Sequence, residues 1–225
     1  MNIVFVRHGE SDHNQKSIID TGIDSVSRLT EEGVHQIKKT ADDILRLEPE
    51  FKIIFTSPLK RCIQTSEILA EILHIDDIRI DDRLREIGMG DYNGKLLSEY
   101  PFGYINGSHN HEKAHSFGGE TLEDVKRRTQ DFDYCESIIV SHRAPIRVMT
   151  KFLTGHEVQV DCGCYYLYYM KDIENLSIFE VEDVLIEYSN IHMININIEE
   201  IINRIKKLNQ KNNLYLKNKH ERIFL

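Results

Sequence analysis

The amino-acid sequence predicts an α/β fold, a three-layer α/β/α sandwich around a mostly parallel central sheet. Short apolar runs of strand length alternate along the chain with longer segments of helical periodicity, as such a sandwich requires. Several of these runs end in polar side chains, which is expected where parallel strands deliver residues to a ligand site at their carboxyl ends. The 225 residues contain no run of about 18 apolar residues, so a membrane span is not expected.

The predicted elements follow one another along the chain with a long irregular segment in the middle. Strands are expected near 2–6, 52–56, 137–141 and 163–170, and helices near 30–48, 58–74, 119–133 and 144–154. Residues 92–118 are rich in Gly, Asn, His and Ser and lack periodicity, which predicts a loop that caps a site. The Tyr-rich segment 165–169 favours a strand, with an aromatic binding surface as the alternative.

The chain is expected to form one domain over residues 1–172, followed by a C-terminal extension over residues 173–225. In the extension, residues 177–181 and 184–188 could pair as a hairpin. An apolar stripe at helical spacing follows, made of Ile198, Ile201, Ile202, Ile205 and Leu208. The stripe needs a partner, either the body of the protein or a second subunit, so a homodimer is one expected assembly.

Charge is unevenly distributed in this chain, whose formal net charge is −9. Residues 199–225 hold seven Lys or Arg against three Glu, which leaves the rest of the chain with a net charge of −13. An acidic body disfavours nucleic acid as a partner, because phosphate-backbone binding depends on dense basic patches. The four cysteines are scattered apart from one Cys-x-Cys pair, and no signal peptide is visible, so a cytoplasmic location with free thiols is expected.

The first strand ends in Arg7-His8-Gly9-Glu10. This junction delivers a guanidinium and an imidazole to the carboxyl edge of the sheet, and the glycine lets the backbone turn sharply. Taken alone, the triplet Arg-His-Gly is a weak signal, because a histidine after a strand more often packs or caps. Its weight comes from the motifs that follow in order along the chain.

Three further motifs place polar side chains at strand ends or helix starts. In the second, Ser57 and Pro58 are expected to cap and open a helix, so that Arg61 lies one turn inside it, where anions are favoured. The third puts Glu86 just before a glycine-interrupted loop, and the fourth puts His142 directly after a buried strand. Two arginines, two histidines and a carboxylate together suit a phosphate pocket with a nucleophile and an acid.

The order RHGES…N, SPLKRCIQT, LREIGMGDYNG and VSH resembles the histidine phosphatase superfamily, in the branch that includes cofactor-dependent phosphoglycerate mutase. The resemblance covers about residues 1–170, with weaker matches at 22–24, 29–33 and 118–121. It implies a phosphoglycerate mutase-like sandwich, a small phosphorylated substrate, and no metal or other cofactor. The residues at the family's catalytic positions are Arg7, His8, Asn14, Arg61, Glu86 and His142.

The resemblance further implies a metal-independent phosphatase that works through a phosphohistidine. His8 would attack as a neutral imidazole, since neighbouring cations depress its pKa. Glu86 would protonate the departing oxygen and then, once ionised, activate water. The groups expected to hold the phosphoryl oxygens are Arg7, Arg61, Asn14 and His142.

Three more residues are predicted to bind substrate: Gly22, Ser57 and Arg143. Arg143 stands where the family usually has the first of a glycine pair after the second histidine. It could therefore add a third cation at the pocket rim or point to solvent.

Other interpretations of single residues stay open at this point. His109, His111 and His115 have a spacing that could bind a transition metal, although solvated or substrate-contacting loop histidines are favoured. Glu10 could take part in acid–base chemistry or tether the arginines of the pocket. Glu86 could be no more than a carboxylate that caps a helix.

Two alternatives to a phosphatase of small metabolites also remain. In a mutase, the same phosphohistidine is returned to another hydroxyl of the bound substrate. Family mutases carry a longer segment between the acid and the second histidine than the interval from Glu86 to His142, which favours hydrolysis. A protein-directed role, on a phosphoprotein or through partner binding by the tail, is the third alternative.

Overall fold

The computed structural model of the protein describes residues 2–46, 51–101, 104–105, 108–109, 113–154 and 158–169. In this part of the chain the strands are β1 (Asn2–Arg7), β2 (Ile53–Thr56), β3 (Asp77–Ile80), β4 (Tyr104–Ile105), β5 (Ser108–His109), β6 (Ser137–Ser141) and β7 (Tyr165–Tyr169). The helices are α1 (Asp12–Gln15), α2 (Glu31–Arg46), α3 (Lys60–Leu73), α4 (Leu122–Thr129) and α5 (Arg143–Thr154).

Five strands form the central sheet in the order β3-β2-β6-β1-β7. The first four run parallel, and β7 runs antiparallel to β1. The register pairs Arg7 with Ser141 and Thr56 with Val140, so the carboxyl ends of β1, β6 and β2 lie side by side. The residues that follow these three strands therefore meet at one edge of the sheet, and the mostly parallel sheet is confirmed.

Alternate residues of β1 face opposite sides of the sheet, because the side-chain period of a strand is two. Val4 and Val6 pack in a core with α2 and α3, whereas Ile3 and Phe5 pack in a second core with α5. Each such side chain, when fully buried, contributes about 1.5–3 kcal/mol. Because both faces are covered by helices, the predicted three-layer arrangement is confirmed, and the central strands are continuously apolar for this reason.

The structure contains three strands that the sequence analysis lacks: β3, β4 and β5. β4 and β5 have two residues each and pair with each other. β3 has four residues, Asp77-Ile78-Arg79-Ile80, and lies at one edge of the sheet, where its side chains are half-buried or exposed. Such a short alternation of charged and apolar residues does not stand out by periodicity. The helices fall near their predicted places, but α4 ends at Thr129, four residues earlier than expected.

The start of α3 corrects a second expectation. The helix begins at Lys60 with Leu59 as its N-cap, and Leu59 makes no side-chain capping bond. The predicted cap and first residue, Ser57 and Pro58, precede the helix instead. The hydroxyl of Ser57 lies 2.8 Å from Nε2 of His142 and also accepts from the nitrogen of Leu59 over 3.4 Å. It therefore bonds to the residue before the helix and not to the first turn of the helix.

Two glycines bring the turn after β1 against the first turn of α2. A Cβ atom on Gly9 would lie 2.9 Å from the backbone carbon of Gly33, and one on Gly33 would collide with the backbone of Glu10. Only residues without a side chain permit this approach. The weaker motif at residues 29–33 thus has a physical role, since it lets α2 support the loop that follows the first histidine.

The predicted C-terminal hairpin and amphipathic helix lie outside the described residues and stay predictions. In its described part, the segment 92–118 holds short 3-10 turns and the two-residue strands β4 and β5. Three of its aromatic rings pack edge to face: Tyr92, Tyr100 and Phe117. Its role as a cap also stays a prediction. Over the described ranges, no helix has both the length and the apolar character needed to cross a membrane.

Candidate active site

His8 follows β1 and is 2% exposed. Its ring is held by two contacts: Nδ1 lies 2.7 Å from the carbonyl oxygen of Gly9, and Nε2 lies 3.1 Å from Nε of Arg61. A carbonyl only accepts and a guanidinium only donates, so Nδ1 carries the proton and Nε2 holds a lone pair. The contacts therefore select the neutral tautomer whose unprotonated nitrogen lies beside Arg61.

His142 follows β6 and is fixed in the complementary way. Its Nδ1 lies 3.2 Å from Nη2 of Arg61 and its Nε2 lies 2.8 Å from Oγ of Ser57. Because Arg61 can only donate, Nδ1 accepts and Nε2 donates to the hydroxyl. Ser57 is thus a support of His142 rather than a residue of the cavity wall.

Both histidines are kept neutral by their surroundings. Burial lowers the pKa of His8 well below its ordinary value, and the positive charges of Arg61 and Arg7 lower it further. Burial, followed by Arg61, has the same effect on the pKa of His142. The two ring centroids are 5.0 Å apart. Both imidazoles are therefore neutral beside the guanidinium groups of Arg61 and Arg7.

Burial also sets the state of Cys62, which lies on α3 next to Arg61. Its Sγ is 3.3 Å from Nε2 of His142, and burial raises the pKa of the thiol to about 12. At neutral pH the group stays a protonated thiol. Cys62 packs in the core with α2 and the central strands, as a small apolar residue would.

Arg7 is the last residue of β1 and is 8% exposed. Its Nη1 donates to the carbonyl oxygen of Val160 over 2.9 Å, and its Nε is buried with no hydrogen-bond partner within the described ranges. An unsatisfied buried donor is costly, by about 1–3 kcal/mol. Arg7 also lines the cavity described below, to which its guanidinium brings a positive charge.

Asn14 lies in α1, a single turn that β1 leads into. Ser11 caps this turn, and Oδ1 of Asn14 accepts from both the backbone nitrogen and the hydroxyl of Ser11, over 3.1 and 2.9 Å. With Oδ1 engaged in this capping box, the Nδ2 amide is the group that can donate into the cavity.

Glu86 lies between β3 and the cap segment, with one oxygen held by backbone donors. Its Oε1 accepts from the nitrogen of Ile87 over 2.9 Å and from that of Ala144, in the first turn of α5, over 3.2 Å. The contact with Ala144 is the helix-capping role considered above. Glu86 also lines the cavity. Because Oε1 is held by the two backbone nitrogens, Oε2 is the oxygen that remains to exchange a proton.

Two residues that the sequence analysis missed support the segment that carries Glu86. Nη2 of Arg128 donates to the carbonyl oxygens of Arg85 and Glu86, over 2.8 and 3.3 Å. Nε of Arg128 also donates to Glu120, whose second oxygen accepts from the nitrogen of Gly88 over 2.8 Å. The weaker motif at residues 118–121 contains Glu120 and was the sequence signal for this support.

These groups surround a cavity of about 420 Å³. Six of the predicted site residues line it: Arg7, His8, Asn14, Arg61, Glu86 and Arg143. His142 and Ser57 lie behind Arg61, and Gly22 packs against Asn93 while its neighbour Thr21 faces the cavity. The opposite wall is apolar and consists of Ile18, Ile19, Ile87, Met89 and Leu97.

Arg143 places a third guanidinium at the mouth of this cavity. Its side chain is 35% exposed, and its Nε donates to the carbonyl oxygen of Val160 over 3.2 Å. Of the two positions considered above, the structure shows the one at the pocket rim.

Two of the other interpretations find no support in the described contacts. The carboxylate of Glu10 accepts from Thr30 over 2.8 Å and from Gln15 over 3.2 Å, so it neither lines the cavity nor holds an arginine. His115 is 69% exposed and pairs with Asp124 over 2.6 Å. His111 lies outside the described residues, as does the side chain of His109, and the described remainder contains no group of three metal-ligating side chains.

The fold and the site define a class of protein, α/β enzymes that handle phosphate with a histidine at the carboxyl edge of a parallel sheet. Within that class, residues 3–160 match the family described as the histidine phosphatase superfamily, branch 1. The chain belongs to this superfamily. The resemblance seen in four separate motifs is confirmed.

Curated relatives of this chain include both phosphatases and mutases. Phosphoserine phosphatase 1 of Hydrogenobacter thermophilus is 30% identical over 77% of this chain and 89% of its own length. A 2,3-bisphosphoglycerate-dependent phosphoglycerate mutase of Thermoplasma acidophilum is 29% identical over 66% of this chain and 74% of its own.

Solved structures share the fold. The alpha-ribazole phosphatase of Shigella flexneri superposes with a TM-score of 0.61 at 19% identity, over 76% of this chain and 91% of that one. A mycobacterial glucosyl-3-phosphoglycerate phosphatase does so with a TM-score of 0.55 at 20% identity, over 74% and 91%.

Proposed function

We propose that this protein is a metal-independent phosphomonoesterase that hydrolyses a small phosphorylated metabolite through a phosphohistidine. The observation that carries the proposal is the orientation of His8, whose unprotonated Nε2 lies 3.1 Å from Nε of Arg61. Both residues line a cavity of about 420 Å³. That volume is typical of small-molecule sites.

In the first half of the reaction, Nε of Arg61 transfers its hydrogen bond from Nε2 of His8 to a phosphoryl oxygen. The lone pair freed on Nε2 forms a bond to phosphorus while the phosphorus–oxygen ester bond breaks. The loose transition state spreads charge over the three equatorial oxygens, so the protein mainly positions and neutralises them. Arg7 and Arg61, which both line the cavity, supply the neutralising positive charge. Glu86 gives its proton to the departing oxygen, and the alcohol leaves.

In the second half, Glu86 is ionised and takes a proton from water. The water oxygen attacks phosphorus, the bond to Nε2 of His8 breaks, and inorganic phosphate is released. The phosphorylated ring keeps its proton on Nδ1, which donates to the carbonyl oxygen of Gly9. That bond stabilises the positive charge of the intermediate.

The comparisons favour hydrolysis over the mutase reaction, in which the phosphoryl group is returned to another hydroxyl of the substrate. Relatives named phosphoserine phosphatase match up to 77% of the chain, and phosphatases are among the structures that share the fold. The mutase remains the second candidate, because a phosphoglycerate mutase is as similar in sequence. The cytoplasmic location and the homodimer expected from the sequence stay predictions.

Trapping the intermediate tests the chemistry. Rapid mixing with a ³²P-labelled ester, followed by denaturation, should leave acid-labile label on the wild-type protein and none on the His8→Ala variant. EDTA treatment should change neither the label nor turnover. His35→Ala, at an exposed position on α2, is the matched control. A loss of activity on chelation that zinc, magnesium or manganese restores would contradict the proposal.

A substrate panel separates the two candidates. Initial rates over phosphorylated sugars, glycerates, phosphoserine, nucleotides and phosphopeptides should show release of inorganic phosphate from at least one small ester. Formation of an isomeric phosphoester without phosphate release would instead identify a mutase. Turnover of phosphopeptides alone would favour the protein-directed role.

A further inference from the structure

The guanidinium of Arg61 presents two edges, and different groups occupy each. Nε and Nη2 form the side edge, which faces the two histidines at 3.1 and 3.2 Å. Nη1 and Nη2 form the end edge, which faces Asp20: Nη1 donates to the carboxylate over 2.7 Å and Nη2 to the carbonyl oxygen over 2.8 Å. The histidines therefore meet one edge of Arg61 and Asp20 holds the other.

Asp20 is itself firmly held. Its side chain is 9% exposed, against 4% for Arg61, so the ion pair is screened from water. The carboxylate oxygen that meets Arg61 also accepts from the hydroxyl of Ser25 over 2.6 Å, and it lies 3.2 Å from Nδ1 of His13. Three groups from separate parts of the chain converge on this one oxygen.

We infer that Asp20 is the positioning residue of Arg61 in the proposed reaction. By gripping the end edge, Asp20 keeps the side edge turned toward the histidines, where the phosphoryl group must bind in front of His8. An arginine side chain loses rotamer entropy when it is fixed in one orientation, and a bidentate partner fixes its plane in advance. The inference rests on the proposed function.

Asp20 lies on the end edge of Arg61, and the side edge makes direct hydrogen bonds to the histidines at 3.1 and 3.2 Å. A phosphoryl oxygen that approaches His8 replaces the bond from Nε, so it meets the side edge and leaves the contact with Asp20 in place. The Asp20 carboxylate also balances the buried charge of Arg61. Removing one partner of a buried ion pair leaves the other charge buried without a counter-charge. Asp20 thus acts on the reaction only through Arg61.

A double-mutant cycle tests this inference. Because a misplaced phosphate ligand costs up to about 100-fold, Asp20→Ala should lower kcat/KM for an aryl phosphate by about 10- to 100-fold, with a loss in kcat. In the Arg61→Ala background the same change should cost less than about 2-fold, since residues in one network are not additive. Asp20→Asn keeps an acceptor for Nη1 and should recover much of the loss.

Binding of inorganic phosphate gives a second measurement that needs no turnover. Calorimetry should show weaker phosphate binding in Asp20→Ala by a similar factor. Asp77→Ala, which removes the carboxylate of an exposed pair with Arg79, is the matched control and should change neither quantity. If Asp20→Ala does not fold by circular dichroism, Asp20→Asn and Ser25→Ala serve in its place, each with a smaller loss in the same direction.

Two results would overturn the inference. One is tighter phosphate binding in Asp20→Ala or Asp20→Asn, as expected of a competitor. The other is an equal loss with and without Arg61, as expected of a purely structural residue. A wild-type protein that binds phosphate but hydrolyses no ester would count against the proposed function alone.

Discussion

At the scale of single residues, proton placement is the property that prepares this site for chemistry. His8 and His142 are both enclosed, and their only ring partners in the described part of the chain that carry charge are guanidinium groups. Neither ring can gain a proton without placing a further positive charge beside Arg61. The same enclosure that makes His8 a nucleophile makes the folded state sensitive to acid.

The stability of the protein should therefore fall below pH 6.5. An unfolded histidine has a pKa of about 6.5, whereas burial holds the pKa of His8 and of His142 well below it. As the pH falls through 6.5, the unfolded chain binds protons that the folded protein does not. Stability that is fully present above pH 6.5 is then lost by about 1.4 kcal/mol per pH unit for each histidine.

Denaturant midpoints between pH 8 and 5, in buffers free of phosphate, measure this loss. His142→Gln removes one of the two groups and should reduce the slope below pH 6.5, whereas His35→Gln should not. Equal slopes in wild type and His142→Gln would show that His142 is not held neutral by the fold.

Replacement of the acid should affect ester classes unequally. Glu86→Gln removes the proton that the departing oxygen needs, and an alkyl or sugar alkoxide needs it more than a stabilised phenolate. Phosphoenzyme formation from alkyl esters should slow on the order of 10²–10⁴-fold, with a milder defect for aryl phosphate. With aryl phosphate, breakdown of the intermediate should become the slow step, since water lacks its base.

Rapid-quench measurement of labelled phosphoenzyme resolves formation from breakdown for each ester. Glu99→Gln, which exchanges the carboxylate of an exposed 3-10 turn in the cap segment, is the control. An equal loss of the formation step for both ester classes would show that Glu86 is not the acid.

At the scale of elements, α4 determines where the acid lies. Arg128 on this helix reaches across to the carbonyl oxygens of Arg83, Arg85 and Glu86. Glu120, just before the helix, accepts from the nitrogen of Gly88. None of these contacts touches the cavity. They nevertheless set the distance between Glu86 and the nucleophile, because the segment that carries Glu86 has little regular structure of its own.

The neighbouring arginines of α4 provide a matched pair of variants. Arg128→Ala should destabilise the protein by about 1–3 kcal/mol, because the carbonyl oxygens of Arg85 and Glu86 and the carboxylate of Glu120 lose their hydrogen-bond donor. It should also lower kcat/KM by about 10–100-fold, most strongly for alkyl esters, because the acid is displaced. Arg127→Ala removes only a surface contact with Asp124 and should cost about 0–1 kcal/mol, with turnover unchanged.

Denaturation midpoints and steady-state rates for both variants check this prediction. An Arg128→Ala protein with wild-type turnover of alkyl esters would show that α4 supports the fold but not the acid.

The central elements were predictable because their side chains are buried on both faces. Runs such as Ile3–Val6 and Ile138–Val140 carry enough apolar residues to be recognised, and the polar residues that end them carry the chemistry. β3 and the start of α3 were missed or displaced, since a short edge strand and an uncapped helix leave little local signal. Asp20 and Arg128 depend on contacts across the fold, which no local pattern contains.

At the scale of the whole molecule, the sequence that follows the sheet contains an apolar stripe that we expect another surface to cover. The apolar stripe between Ile198 and Leu208 is predicted to dock on the body or to pair subunits. Truncation after Glu182 should therefore lower solubility or change the mass seen by light scattering, while turnover persists in the protein that remains folded. An unchanged mass and solubility would show that the stripe is dispensable.

The place of β1 in the sheet also governs when the protein can become an enzyme during its synthesis. β1 pairs with β6 and β7, so about 130 residues must be translated before its first neighbour exists, which takes roughly 7–26 s at about 5–20 residues per second. During that interval the apolar residues Ile3 to Val6 leave the ribosome in a strand whose two hydrogen-bonding edges are both unpaired. The nucleophile is therefore translated about 130 residues before the strand that pairs beside it, and it reaches its place in the sheet only once that strand has been made.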